Sequence, residues 1–221
     1  GENFVNDGKQ LVYHEQENGK RIQWHTLSVP RGGEYKLVLA DGTRVWLNAA
    51  SELMYPDHFS ADQRKVVLKG EAYFEVTKDV KRPFSVVLGD MEVKVLGTSF
   101  NVSAYPGVKR QTTLIEGQVA VNWHRQQVVI RPGQQAAETD EGLRVASVNV
   151  MNYVGWKEHR FVYENKLLGE VLEDLERWYD VEVFVMHDEI RNLHLTANLP
   201  RYENMDKVLE IIEYAACVKF E

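Results

Sequence analysis

The sequence predicts two successive domains: an all-β domain, a two-sheet sandwich or a related β architecture, followed by a small α+β domain. Before residue 150, short alternating apolar runs are separated by turn pairs at the spacing typical of β-sandwiches and barrels. After residue 150, apolar residues recur with helical spacing. The charge changes at the same point, because the residues after Val150 carry 8 basic and 15 acidic side chains and account for the whole net charge of −7. We therefore predict domains over 25–150 and 151–221.

Glycine-containing turn pairs divide the first domain into strands. Asp41-Gly42 and Gly89-Asp90 each separate two alternating runs and predict hairpins, because glycine accepts the positive φ that tight turns require. Lys69-Gly70 is predicted as another hairpin turn on the same grounds. Glu116-Gly117 and Pro132-Gly133 mark further bends.

The stretch VLGTSFNVSAYP contains a change of phase. The apolar residues before Gly97 have odd numbers, Val93 and Val95, whereas those after it, such as Phe100, have even numbers. A bulge or corner that shifts the strand by one residue explains this change, and glycine commonly marks such a position. We expect the hydroxyls of Thr98 and Ser99 to satisfy backbone groups at the corner rather than to bind a ligand.

The second domain is predicted to have two strand-helix-strand units, in the order βαβ-βαβ, and this repeat suggests an internal duplication. Two amphipathic helices begin after Asn165 and Asn204, which are suitable N-caps. Their apolar stripes are Leu167, Leu168, Val171, Leu172, Leu175, Trp178 and Tyr179 in the first helix, and Val208, Leu209, Ile211, Ile212, Ala215 and Ala216 in the second. The segments RFVY, VEVFV, LHLTANL and VKFE are predicted as the strands.

No catalytic constellation is visible. The sequence lacks the nucleophile elbow and the phosphate-binding loop, and HDEIRNLH, from His187 to His194, is better interpreted as a solvated acidic turn than as a metal site. We interpret Glu71 and Glu75 as solvent-facing charges and Cys217 as a small buried residue. We expect no enzymatic activity, no cofactor and no bound metal.

The acidic composition of the second domain and the tryptophans of the first indicate which kinds of binding partner to expect. An acidic second domain argues against nucleic acid, which needs a cationic surface. Trp24, Trp46 and Trp123 lie in β-segments, so a carbohydrate-binding β-sandwich module is an alternative function. Trp46 is out of phase with its apolar neighbours and is the tryptophan that we expect to face outward. No apolar run is long enough to span a membrane, and no signal peptide is visible. The last residues, CVKFE, resemble the start of a strand, so we expect the sequence to be a piece of a longer protein.

Several long motifs in fixed order resemble FecR-family anti-sigma factors. PRGGEYKLVLADGTRVWLNAASELMYP, RKVVLKGEAYFEVTKDVKRPFSV, VKVLGTSFNVSAYP, TTLIEGQVAVN and IRPGQQA are similar to the periplasmic FecR domain. GWKEHRFVYENKLLGEVLEDLERWYDVEV is similar to the C-terminal domain that follows it in Bacteroidetes members, and the βαβ-βαβ pattern resembles the short N-terminal domain of secretins and TonB-dependent receptors.

The resemblance implies a function in signal transfer. FecR-like proteins are single-pass inner-membrane proteins, so residues 1–24 would be a juxtamembrane segment and the rest would lie in the periplasm. The resemblance implies two partners, the periplasmic signalling domain of a TonB-dependent outer-membrane receptor and an extracytoplasmic-function sigma factor. The sigma factor would be held by a cytoplasmic segment that this chain does not contain. The inducer in such systems is often a glycan or an iron complex.

We expect the receptor domain to bind the second domain by strand addition to an edge. LHLTANL alternates as a half-buried strand should, and VEVFV also lacks proline, so neither sequence blocks pairing with an incoming strand. The residues predicted to bind the partner are Leu193, His194, Thr196, Asn198, Val183 and Val185.

Overall fold

The computed structural model describes residues 21–201 and 204–220, together with the backbone of 4–6 and 10–13. Residue contacts divide the chain into two compact units. The first contains Gly1–Pro30 and Glu34–Val150, and the second contains Arg31–Gly33 and Met151–Glu221. Among the described residues, no helix is both long and apolar enough to cross a membrane.

The first unit is built from strands. They are β1 (Phe4–Asn6), β2 (Gln10–Tyr13), β3 (Trp24–Val29), β4 (Tyr35–Val38), β5 (Arg44–Leu47), β6 (Ser51–Pro56), β7 (Arg64–Glu75), β8 (Phe84–Leu88), β9 (Met91–Val95), β10 (Ser99–Ala104), β11 (Gln111–Glu116), β12 (Val119–Trp123), β13 (Gln126–Ile130), β14 (Gln134–Thr139) and β15 (Gly142–Ser147). The predicted hairpins at Asp41-Gly42 and Gly89-Asp90 are confirmed by the antiparallel pairs β4–β5 and β8–β9.

The strands form two sheets that share β7. Sheet A has the order β1-β2-β4-β5-β7-β10-β11-β14-β15, and sheet B has the order β3-β6-β7-β8-β9-β12-β13. One apolar core lies between them, and within it Phe74 packs against Phe84 of sheet B at 6.1 Å and stacks on Phe100 of sheet A at 5.2 Å between ring centroids. The predicted two-sheet sandwich is therefore confirmed.

Strand β7 crosses from one sheet to the other without a turn. Its first half pairs with β6 and β8, and its second half, from Gly70, pairs with β5 and β10. Gly70 has a φ of +91°, and a Cβ placed there would lie 2.4 Å from the Ser51 hydroxyl oxygen. The predicted hairpin at Lys69-Gly70 is therefore wrong, because the glycine serves a close approach inside one long bent strand rather than a chain reversal.

The predicted corner at Gly97 is confirmed. It lies between β9, in sheet B, and β10, in sheet A, and inward-facing apolar residues are buried on both sides of the phase change. A Cβ on Gly97 would lie 2.7 Å from the Cα of Lys78, so two backbone segments touch there. The Thr98 hydroxyl donates a hydrogen bond to the Gln118 carbonyl at 3.1 Å, as expected for a hydroxyl that satisfies the backbone of a corner.

One buried cation lies inside the sandwich. Arg64 is fully buried, and its Nη1 contacts the Asp41 carboxylate at 2.7 Å and the Thr77 carbonyl at 2.8 Å. Its Nε donates to the Arg82 carbonyl at 2.8 Å. The side chain therefore joins β7 to three neighbouring segments, and its charge is compensated by a single carboxylate.

The described residues of the second unit form three α-helices and one two-stranded antiparallel sheet. Its elements are α1 (Met151–Val154), a 3-10 turn (Gly155–Glu158), β16 (Arg160–Leu167), α2 (Leu168–Tyr179), a second 3-10 turn (Asp188–Asn192), β17 (His194–Pro200) and α3 (Asp206–Ala216). Apolar side chains from β16, β17, α2 and α3 form a separate core, whose buried members are Phe161, Tyr163, Leu168, Val171, Leu172, Leu175, Leu195, Leu199, Val208 and Ile212.

The structure corrects two details of the predicted βαβ-βαβ pattern. Of its four strands, only the two that became β16 and β17 form a ladder; VEVFV (residues 181–185) and residues 218–220 are not assigned as strands in the described chain. Asn165 is not an N-cap, because it has a φ of +53° inside β16, where the pairing with β17 shifts register. The cap at Asn204 is present: its side-chain oxygen accepts the Asp206 N–H at 2.8 Å.

The two helices and the segments after them repeat one arrangement. Helices α2 and α3 are each followed by a left-handed residue, Asp180 and Cys217 respectively. The Glu176 carboxylate accepts the N–H of Val183 at 2.8 Å, and the Glu213 carboxylate accepts the N–H of Phe220 at the same distance. Both contacts span seven residues, so the predicted duplication is visible in the helices and in the chain that leaves them.

Candidate partner-binding site

The predicted partner-binding residues of β17 alternate as expected. Leu195 and Leu199 are buried, whereas His194, Thr196 and Asn198 are exposed. Within the described chain, β17 pairs only with β16, so it has one edge without a strand partner.

Two of these exposed residues already have local roles. The Thr196 hydroxyl accepts the Asn165 N–H at 2.9 Å and so satisfies the bulge in β16. The Asn198 side-chain oxygen accepts from Arg160 Nε at 2.7 Å. Leu193, just before the strand, is partly exposed, and its carbonyl accepts the first N–H of α2 at 2.7 Å. These residues therefore hold the neighbouring strand and helix in place.

Val183 and Val185 lie apart from β17, on residues 181–186, which we call the acceptor segment. Both valines pack on the core of the second unit and are only partly accessible. The outward residues of the segment are Phe184 and Met186, which are 82% and 87% exposed. The sequence analysis missed these two residues, although they share a phase with Glu182, whose charge marks the solvent-facing side.

The acceptor segment lies in acidic surroundings. Asp180 precedes it, Glu182 is within it, and Asp188 and Glu189 follow it, all with exposed side chains. The nearest cation to Asp188 is Arg191, at 4.0 Å, and the His187 ring lies 3.9 Å from Glu189. At Asp180, Arg31 of the same unit lies at 3.5 Å. Loose exposed pairs of this kind leave most of the negative field in place.

A partly buried charge cluster joins α2 to β16. Asp174 contacts Lys166 and Arg177, each at 2.6 Å. Burial alone would raise the pKa of Asp174, but the two cations outweigh it and hold that pKa below its usual range. Burial, reinforced by the nearby Asp174 charge, raises the pKa of Tyr163 well above its ordinary value. The phenol of Tyr163 therefore stays neutral, and the cluster has a structural role.

The other chemically interesting positions show no reaction site. Within the described residues, no group of three or more His, Cys, Asp or Glu side chains could hold a metal ion. Cys217 is exposed rather than buried, because it occupies the left-handed position after α3. Glu71 and Glu75 are not freely solvated: Glu71 accepts from Asn48 and Asn101, and Glu75 pairs with Arg44. A metal or cofactor is therefore not indicated by any cluster in this part of the chain.

A cleft of about 490 Å³ in the first unit is lined by three cationic side chains, and each of them contacts a carboxylate. It is lined in part by Leu88, Tyr105, Val108 and Arg110. Arg110 contacts Glu138 at 2.7 Å and Asp90, and its hydrogen bonds lower the pKa of both carboxylates. The guanidinium of Arg110 thereby joins the β8–β9 turn to β14.

Comparisons with known proteins find similarity in both units. Residues 25–120 match the model of the family described as FecR protein, and residues 160–221 match that described as FecR, C-terminal. Two crystal structures, each described as that of a "putative anti-sigma factor" from Parabacteroides distasonis, are similar over both units. The first is 27% identical, with a TM-score of 0.84, covering 90% of this chain and 94% of that one. The second is 28% identical, with a TM-score of 0.83, covering 89% and 94%.

No curated protein matches the chain significantly. The matches to both FecR models assign the chain to a regulatory class of proteins. The chain belongs to the FecR family, a family of anti-sigma factors rather than of enzymes.

Proposed function

We propose that this chain is the periplasmic, signal-receiving part of a single-pass inner-membrane anti-sigma factor. It receives a signal from the signalling domain of a TonB-dependent outer-membrane receptor. The effect is relayed to an extracytoplasmic-function sigma factor held by a cytoplasmic segment outside these 221 residues. The observation that carries the proposal is the match to both FecR domains, in family order, over the two units.

The second unit is the proposed receiver. It combines an acidic surface with strand edges that have no partner in the described chain. Backbone hydrogen bonds at a strand edge supply affinity for an added strand, and a charged surface raises the rate of encounter with an oppositely charged partner. The first unit presents a filled core and side chains that are engaged with one another, which suits a rigid support.

The carbohydrate-binding alternative gains no support from the tryptophans. Trp46 does face away from the core, but it packs edge-on against Tyr73 at 5.7 Å and lies under Lys36. Trp123 donates to Asp90 and lies against Arg110. Only Trp24 is largely exposed, so the three rings do not form a shared stacking platform.

Binding measurements with isolated receptor domains test the proposal. The full chain is titrated with the N-terminal signalling domain of each TonB-dependent receptor in the source genome that has one, at low and high salt. We expect one domain to bind, more weakly at high salt. Asp188→Lys, at a side chain that is 98% exposed in the second unit, should slow association about three- to tenfold at low salt.

Asp140→Lys is the matched control, because Asp140 is 92% exposed but lies in the first unit. It should leave association within about twofold of the wild-type rate. The proposal is wrong if none of the receptor domains binds, and the receiver is assigned to the wrong unit if Asp140→Lys has the larger effect.

A further inference from the structure

We propose that the acceptor segment, residues 181–186, is the edge to which a partner strand with basic side chains is added. The inference rests on the proposed function and deepens it by naming the edge and the chemistry of the incoming strand.

The two backbone edges of this segment differ. In an extended chain, the N–H and C=O of residues 182, 184 and 186 lie on one edge, and those of 181, 183 and 185 lie on the other. The second edge is largely occupied by the unit's own groups. Val183 N–H donates to the Glu176 carboxylate at 2.8 Å, and the Val181 carbonyl accepts from Arg31 at 3.0 Å.

The first edge is open. Within the described chain, no hydrogen bond is recorded for the backbone groups of Glu182, Phe184 or Met186. An incoming strand can therefore pair with these three residues without displacing an existing contact, whereas pairing on the other edge would have to displace Glu176 and Arg31. Unpaired backbone groups along a strand edge are a template for an incoming strand, so this asymmetry favours the first edge.

The side chains on the outward face favour a partner strand over permanent exposure to solvent. Phe184 and Met186 are exposed in a segment whose alternate valines pack on the core. An added strand places its own side chains about 5 Å from these two, close enough for cross-strand packing. The open edge and the exposed apolar pair thus coincide on the same residues.

The acidic residues near the acceptor segment indicate the charge of the incoming strand. Asp180, Glu182, Asp188 and Glu189 are all exposed and lie within the acceptor segment or close to it in the sequence. A second copy of this chain would bring the same acidic groups together, which is unfavourable. A strand with lysine or arginine beside its apolar residues complements both the charge and the exposed pair, so the partner is a different, basic strand.

Amide exchange on the full ¹⁵N-labelled chain tests the inference. Two probes are added separately: the receptor signalling domain that binds in the experiment above, and a capped nine-residue peptide of alternating lysine and valine. We expect either probe to slow exchange of the amides of residues 182, 184 and 186 by at least about tenfold, with a smaller change at Val183, which is already bonded.

Two variants at Phe184 separate the contribution of the backbone N–H to receptor binding from that of the side chain. Phe184→Pro removes the central N–H of the open edge and should weaken receptor binding by at least about tenfold. Phe184→Thr keeps that N–H and should weaken binding about three- to tenfold through lost packing. Trp24→Thr, at an exposed aromatic residue of β3 in the first unit, should stay within about twofold of wild type.

The outcomes distinguish the inference from the proposed function. If the receptor domain binds but the three amides stay unprotected and Phe184→Pro binds like wild type, the inference is wrong and the proposed function stands. If no receptor domain binds but the peptide protects the three amides, the edge stands and the proposed function fails. If neither probe acts, both are wrong. A further outcome is that the three amides become protected when the chain concentration is raised without any probe, with a dimer seen by sedimentation. That result would assign the edge to a second copy of the chain and overturn the inference.

Discussion

Gly70→Ala tests the shared-strand architecture of the first unit. The substitution places a Cβ at a φ of +91° and within 2.8 Å of three Ser51 atoms, including the Cα at 2.7 Å. The left-handed backbone costs about 1–2 kcal/mol for a non-glycine residue, and overpacking against a backbone atom costs about a further 1–3 kcal/mol. We therefore expect the first unit to lose about 2–5 kcal/mol of its free energy of unfolding.

The assay is urea unfolding followed by hydrogen-exchange mass spectrometry on peptides from β7, which reports the first unit alone. With a denaturant slope of about 2 kcal/mol per molar, the midpoint should fall by about 1–2.5 M. Gly107→Ala is the matched control, because Gly107 has a φ of +79° with no atom within 4 Å of the added Cβ. It should lose only the backbone contribution, about 1–2 kcal/mol. Equal losses in the two variants would refute the close approach of β6 and β7.

Three further substitutions test contacts in the two units by urea unfolding. Asp41→Asn leaves the fully buried Arg64 without its carboxylate and should cost about 3–5 kcal/mol; a loss below about 1 kcal/mol would contradict the buried pair. Asp174→Asn should cost about 1.5–3 kcal/mol at pH 7. Because the folded pKa of Asp174 is lowered, its stabilising effect is present above the unfolded value of about 3.9 and is lost as the pH falls through the folded pKa, so the difference from wild type should vanish in acid. An unchanged difference at low pH would exclude the charge as its cause. Gly97→Ala forces a Cβ to 2.7 Å from the Lys78 Cα and should cost about 1–3 kcal/mol, whereas a neutral result would contradict the tight corner.

Local patterns predicted the features that depend on local geometry. The corner at Gly97 was predictable because the apolar residues on its two sides have opposite parity, and a sandwich must bury both sets. The two hairpins at Asp-Gly and Gly-Asp pairs were predictable because a tight turn constrains only its own residues. Most members of the helical stripes were predictable for the same reason, since residues three and four apart share a face. The exceptions are Leu167, which ends β16, and Ile211 and Ala215, which are exposed.

Features that depend on distant residues were not predictable. Gly70 follows a lysine as a turn glycine often does, but its role is set by Ser51, on a neighbouring strand. Asn165 precedes an apolar stripe as an N-cap does, but pairing with β17 draws it into a strand bulge. VEVFV has the alternation of a strand, but a ladder requires a partner segment, and sequence alone does not show whether one is present.

The candidate site was located only in part. The sequence singled out the segment that we propose as the binding edge through Val183 and Val185, yet these residues pack on the core. The outward residues Phe184 and Met186 were missed because apolar side chains in a half-buried strand are ordinarily assigned to the core. The charged residue Glu182 shows which alternate residues of the segment face solvent. Once the segment is known to pack on the core with one face only, the position of Glu182 predicts that Phe184 and Met186 face outward.

Chemical-shift mapping of the receptor signalling domain on the full ¹⁵N-labelled chain tests the central claim most directly, because it shows which unit receives the partner. The account predicts that shifts concentrate in the second unit, at residues 181–186 and the neighbouring acidic positions, and that residues 25–150 change little. Shifts confined to 25–150, with the second unit unaffected by a domain that binds, would contradict it.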